Sequence, residues 1–170
     1  MRYVMKEKIL TLTDAFTIRD SDGNKVYRVK GKLLSIGDKL SFRDMAGEKL
    51  ALIRQEIITL TPSYRIYRGG KLQADMNKRL LSMFRDRFKV DMKDGSPDIE
   101  IVGNIFDHEY SFRRGGREVA HVSKKWISIA DSYGVQVDAG EDDVLILACA
   151  VVVDLISHEP EDRPQPKEKG

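Results

Sequence analysis

The 170-residue chain is 41% hydrophobic and 33% charged, enough for one well-filled core and short for two, and unlike a disordered or membrane-embedded composition. A formal net charge of +2 excludes the overall basic field expected of a nucleic-acid-binding protein. The single cysteine, Cys149, excludes an intrachain disulfide and fits a reduced, cytoplasmic setting.

The opening residues, 1–10, alternate charged and apolar side chains and lack the apolar stretch of a signal peptide. Phe16 to Arg19 and Val26 to Val29 are β-forming runs around Asp20-Ser21-Asp22-Gly23-Asn24, which predicts a hairpin. Leu40 to Phe42 then turns through Asp44-Met45-Ala46-Gly47 into Leu50 to Ile53. Tyr64 to Tyr67 leads into Arg68-Gly69-Gly70-Lys71, whose glycines supply positive φ at a tight turn. Phe88 to Val90 turns through Asp94-Gly95-Ser96-Pro97 into Ile99 to Ile101, and Arg114-Gly115-Gly116-Arg117 repeats the Gly-Gly turn. Val144 to Val153 is apolar on every side, which predicts a buried helix over about Asp143 to Ser157, with Glu141, Asp142 and Asp143 favourably placed at its positive end. A central strand is the competing reading, but the apolar run is long for one. It is also short of a bilayer span and interrupted by Asp154. Residues 159–170 are polar and Pro-rich with little to bury, so they read as a solvated tail behind a domain of residues 1–158.

Self-comparison organises these elements. Tyr64-Arg65-Ile66-Tyr67-Arg68-Gly69-Gly70-Lys71 overlays Tyr110-Ser111-Phe112-Arg113-Arg114-Gly115-Gly116-Arg117 at an offset of 46 positions (64 to 110), continuing through Ala74/Ala120 and Lys78/Lys124. A third copy upstream matches at an offset of 93 (35 to 128), with Val26/Val119, Val29/Val122, Lys32/Lys125 and Asp38/Asp131 identical. Three units of four strands predict about twelve antiparallel strands. Tyr27, Ala74 and Ala120 share the apolar face, and Arg28, Asp75 and His121 the polar one. A sheet apolar on one side must be covered or closed, so the expected fold is all-β with one helix: a closed barrel around the apolar C-terminal helix.

Further motifs narrow this. Asp22-Gly23-Asn24 leading to Val29-Lys30-Gly31-Lys32, Gly37-Asp38-Lys39-Leu40, Val119-Ala120-His121-Val122-Ser123-Lys124-Lys125-Trp126 and Asp131-Ser132-Tyr133-Gly134-Val135 resemble the LURP-one-related family and its bacterial relatives, within the Tubby C-terminal-like fold. The resemblance covers about Met1 to His158 and implies a twelve-stranded barrel with a central helix, akin to phospholipid scramblases and phosphoinositide-binding Tubby domains. It brings no settled activity with it, and fold kinship by itself confers no function.

The residues offer little catalytic chemistry. There is no phosphate loop, dinucleotide fingerprint, nucleophile elbow or Cys/His metal cluster. Asp20 to Asn24 is superficially a calcium loop, but Gly31 stands where the bidentate glutamate belongs. His108 between Asp107 and Glu109 offers a His–carboxylate pair, yet without a nucleophile pattern it reads as a solvated strand connection. Cys149 reads as a small buried hydrophobe. Trp126 is read as filling the barrel wall, with an interfacial anchor as the alternative. No catalytic, metal or cofactor site is expected, and the chain reads as a non-enzymatic binding or scaffold domain for an unidentified protein partner. The alternative is peripheral binding of anionic phospholipid or phosphoinositide head groups. The cations that would serve are Arg65, Arg68, Lys71, Lys78, Arg79, Arg113, Arg114, Arg117, Lys124 and Lys125, if the barrel gathers them. The bland reading of the same cations is that they guard strand edges and turns. No nucleic-acid partner and no membrane-spanning segment are expected.

Overall fold

Period-two alternation of apolar and polar side chains gives strands wherever the sequence predicts them. The computed structural model describes residues 1–7, 15–31, 39–56, 63–79 and 87–157. The predicted tail and His158 lie outside the described residues. The strands are β1 (Arg2–Lys6), β2 (Ala15–Asp20), β3 (Lys25–Gly31), β4 (Lys39–Asp44), β5 (Lys49–Glu56), β6 (Ser63–Arg68), β7 (Lys71–Arg79), β8 (Arg87–Met92), β9 (Ile99–Asn104), β10 (Glu109–Arg114), β11 (Arg117–Ser123) and β12 (Ser132–Val137). One helix among the described residues, α1 (Asp143–Ser157), follows. Each strand pairs antiparallel with its neighbours in sequence, and β12 pairs with β1 to close the barrel.

The threefold repeat is written into the strand register. In the β2–β3, β6–β7 and β10–β11 hairpins the pairing slips once, after Ile18↔Tyr27, Ile66↔Ala74 and Phe112↔Ala120. Each slip leaves one extra residue on the second strand (Val26, Gln73 or Val119), the signature of a β-bulge. Tyr27, Ala74 and Ala120 are therefore equivalent and face inward. Ala74 and Ala120 are buried, while Tyr27 is half-buried at the rim against Phe42 and Tyr3, with ring centroids 5.2 and 5.9 Å away. The first unit is β2–β5 and the second β6–β9. The third is β10–β12 completed by β1, so the chain's first strand supplies the last unit's fourth strand and ties the two ends of the barrel sheet together.

Helix α1 threads the interior. Asp142 caps it, its Oδ1 accepting the Leu145 N–H at 3.1 Å and its carbonyl the Ile146 N–H at 3.0 Å. Val144 through Ile156 are all buried, so no face of the helix meets water. Valine and isoleucine are weak helix formers, but each buried aliphatic side chain contributes about 1.5–3 kcal/mol, which outweighs a propensity cost of a few tenths.

Strand direction fixes two ends about 22 Å apart, the length of a 15-residue helix. The hairpin end carries the β2–β3, β4–β5, β6–β7, β8–β9 and β10–β11 turns and the start of α1. The far end carries the β9–β10 and β11–β12 connections and the C-terminus of α1.

Candidate functional site

At the hairpin end, the Gly69-Gly70 and Gly115-Gly116 turns place both central residues at positive φ (53° and 77°, 57° and 81°), which brings the flanking cations close together. These tips meet the acidic start of α1. Arg68 pairs with Asp142, Gln73 reaches the same carboxylate at 3.5 Å, and Arg114 and Arg117 reach Glu141 at 3.2 and 3.4 Å. Tyr3 donates its hydroxyl to Asp143 Oδ2 at 2.7 Å. The cap fastens two units to the helix, and it neutralises three of the cations singled out in the sequence. Lys71 and Arg113 are exposed and have no ion pair among the described residues.

The remaining predicted cations lie elsewhere. Arg65 sits on the outer wall, paired with Glu56 at 3.4 Å and Asp75 at 3.5 Å. Lys124 pairs with Glu7 at 2.8 Å and Lys125 is exposed, both at the far end. Lys78 and Arg79 end β7 on that side, opposite Phe88 and Arg87, and their side chains lie outside the described residues. The ten residues therefore divide between opposite ends and the wall, and do not form one patch.

The barrel interior holds a polar network the sequence conceals. His108 is not solvated as its acidic neighbours suggest. It is 1% exposed, at φ 50°, with Nε2 3.0 Å from Asp154 Oδ1 and its ring stacked 4.4 Å from Tyr133. Tyr133 donates its hydroxyl to Asp154 Oδ2 at 2.6 Å. The short β9–β10 turn folds the imidazole inward because Asp154, alone in an apolar helix, requires buried partners. The network pins the helix in rotation and depth.

Other groups resolve simply. Burial pushes the Cys149 thiol up to about 12, the state of an inert buried cysteine. The carboxylate of Asp20 is held below its usual range, chiefly by the Asn24 side-chain amide and then by backbone N–H groups of its own turn, so its oxygens serve the hairpin. Trp126 packs on the outer wall, under the Arg2 guanidinium at 4.7 Å and beside His121 at 5.4 Å.

Two constellations on the outer wall were not foreseen from the sequence. On β10 and β11, Ser111 Oγ lies 3.0 Å from His121 Nδ1, and Glu109 lies 3.9 Å from His121 Nε2. This has the residue types of a hydrolytic triad, but the Ser111 hydroxyl donates to Glu118 Oε2, and the surrounding strand N–H groups serve the ladder instead of an oxyanion hole. The second is a pocket of about 400 Å³ where β4, β5 and β6 meet the Gly69-Gly70 turn. Lys39, Lys49 and Arg54 rim it, and Leu50, Leu52 and Tyr67 form its apolar floor.

Comparison with known proteins gives the same architecture an identity. A family model described as LURP-one-related matches residues 1–154. The chain belongs to the LURP-one-related family. It is 33% identical over 158 residues to the uncharacterized protein YxjI of Bacillus subtilis (strain 168), covering 93% of this chain and 94% of that one. An X-ray structure of an Arabidopsis thaliana protein superposes with a TM-score of 0.65 at 18% identity, covering 92% of this chain and 91% of the other, a likeness of fold. Among the described residues, this LURP-one-related barrel has its interior filled by its own helix.

Proposed function

We propose that this LURP-one-related protein is a binding domain without catalysis of its own, and that it works from its outer wall and not from its interior. The observation that carries this is the continuous burial of Val144 through Ile156, which leaves the barrel filled with the protein's own side chains. A barrel of this size usually offers its lumen to a ligand only when side chains leave it open. The charged outer wall and apolar inside are the inverse of a membrane-spanning barrel, which supports a barrel that works in water. Among the described residues no helix is long and apolar enough to cross a membrane. The test pairs two measurements: thermal shift against small anions, lipid head groups and peptides, and turnover of whichever compound shifts the melting temperature. A stabilising ligand recovered unchanged is the expected result; multiple turnovers would overturn the reading.

A second reading, peripheral binding of anionic phospholipid, has one observation in its favour. Phe106 and Ile129 are 66% and 57% exposed at the far end, where Lys124 and Lys125 also lie. Apolar side chains beside cations suit an anionic membrane surface. On this reading the far end inserts, and replacing Phe106 and Ile129 by serine abolishes vesicle binding. Replacing Lys71 and Arg113 at the hairpin end by alanine leaves it intact.

A further inference from the structure

On the outer wall of β3 to β6, strand register sets cations directly opposite one another. Arg28 faces Arg43 across β3–β4, and Arg43 faces Lys49 across β4–β5. Lower on the same wall, Lys39 faces Arg54 across β4–β5, and Arg54 faces Arg65 across β5–β6. Between these two rows runs a third, Lys30, Ser41, Leu52 and Tyr67, whose β5 and β6 members form the pocket floor. Directly opposed side chains stand about 5 Å apart at Cβ, and like charges there are destabilising.

Elsewhere on the barrel several facing charges are of opposite sign. Arg65 faces Asp75, Lys89 faces Glu100, and Arg113 faces Glu100 on one side and Glu118 on the other. Arg19/Lys25 at the β2–β3 tip, where Arg19 donates to the Gly23 carbonyl, and Arg79/Arg87 across β7–β8 are isolated facing pairs of like charge, and three further like-charged pairs have counter-ions. The tip pairs Arg68/Lys71 and Arg114/Arg117 have Asp142 and Glu141, and the acidic pair Asp75/Asp91 is flanked by Arg65 and Lys89. Of these wall cations, Arg65 alone has carboxylate partners among the described residues. Arg43 donates to Ser41 and to the Gly47 carbonyl, while Arg28, Lys30, Lys39, Lys49 and Arg54 form no ion pair among the described residues. The nearby carboxylate of Asp44 accepts the Glu48 N–H inside its own turn. A β-bulge after Phe42 is what brings Lys49 round to this face. Facing cations that run across three strands in each of two rows, with no carboxylate partner among the described residues except those of Arg65, and at the mouth of a pocket of small-ligand size, mark a site whose missing counter-ion comes from outside.

We propose that the pocket between β4, β5 and β6 binds a multiply phosphorylated ligand, its phosphates held by Lys39, Lys49 and Arg54 and its less polar part packed on Leu52 and Tyr67. Phosphate oxygens accept from Lys and Arg in charge-assisted hydrogen bonds, and more than one phosphate is required to answer cations on both rows. The same chemistry is available from a free polyphosphate or from a lipid head group. The site rests on the reading of the chain as a binding domain, and the two fail separately. Turnover of the ligand would overturn that reading and leave the site, whereas binding unchanged by loss of the three cations would overturn the site and leave the reading.

The experiment is calorimetric titration of the full chain with tripolyphosphate at low and raised salt, alongside sedimentation with phosphatidylcholine vesicles with and without phosphatidylinositol bisphosphate. Wild-type protein is expected to bind at low salt and to weaken as salt rises, because exposed charges are screened. The variant carrying Lys39→Gln, Lys49→Gln and Arg54→Gln is expected to bind at least about tenfold more weakly, since three charge-assisted contacts are lost. It should also melt at the same or a higher temperature, because the opposed charges no longer repel. The control Lys71→Ala/Arg113→Ala should bind as wild type. Binding of tripolyphosphate identifies a free polyphosphate as the source, and binding only of the phosphatidylinositol bisphosphate vesicles identifies the lipid head group, each provided that the three cations are required. No binding of either probe, binding undiminished in the triple variant, or preference for a single-stranded oligonucleotide over both would overturn the proposal.

Discussion

Replacing Asp154 by leucine removes the carboxylate that joins the central helix to the barrel. Its two oxygens meet the Tyr133 hydroxyl at 2.6 Å and His108 Nε2 at 3.0 Å, and Asp154 and His108 are no more than 2% exposed, with Tyr133 fully buried. Leucine keeps the branching and heavy-atom count of aspartate, so the loss is dominated by the polar groups left behind in an apolar interior. Each stranded group costs about 1–3 kcal/mol, and breaking a buried network at one member about 3–5 kcal/mol. With a urea m-value of about 2 kcal/mol per molar, the midpoint should fall by about 2 M. Tyr133→Phe alone removes the hydrogen bond to Asp154 Oδ2 and costs about 1–3 kcal/mol by the same argument. The double variant should cost less than the two single costs added, by about 1–3 kcal/mol, because both single changes break the same Tyr133–Asp154 hydrogen bond. Urea unfolding followed by circular dichroism completes the cycle. Additivity within about 0.5 kcal/mol would mean that the carboxylate and phenol do not act as a unit, and the anchoring role would fall.

Val151 is wholly buried in the middle of α1, so Val151→Asp should leave no cooperatively folding protein, a charge there costing a large part of the typical 5–15 kcal/mol of stability; a soluble variant with a sharp melt would contradict the buried helix. Cys149 should resist a thiol reagent in the folded state at pH 8 and react only on unfolding, and rapid labelling would show the helix to be accessible. Alkaline pH should destabilise the fold. The unfolded thiol ionises near 9 and the folded one only near 12, and burial likewise raises the Tyr110 and Tyr133 phenols well above 10. The unfolded chain then holds fewer protons, and each such group shifts the equilibrium toward unfolding by up to about tenfold per pH unit above its unfolded value. Urea midpoints should fall steadily from pH 9 upward, less steeply in Cys149→Ala, and a flat profile would refute this.

The repeat, the hairpin turns and the bounds of α1 were legible in the sequence because each rests on a local signal: an offset, a Gly-Gly pair, a run with no polar face. β1 carries no mark of the repeat, so its place as the last unit's fourth strand appears only when β12 is seen beside it. His108 was hidden by Asp107 and Glu109. The usable signal was Asp154, a carboxylate in an apolar helix that had to find buried partners. The dispersal of the basic residues followed from strand direction. Arg114 and Lys124 flank β11, so they stand at its two ends, and shared position within a repeat does not bring them together. The opposed cations on β3 to β6 depend on register across a bulge, which no single strand reveals.

The claim that the domain works from its outer wall is tested most directly by the amide spectrum of labelled protein during titration with tripolyphosphate. Shifts confined to Arg28 through Lys30, Lys39 through Arg43, Lys49 through Arg54 and Arg65 through Gly70 are the expected result, with Val144 through Ile156 unmoved. Shifts centred on the helix, or on Glu141 and the turns that cap it, would place the ligand at the barrel's interior or end and contradict the claim.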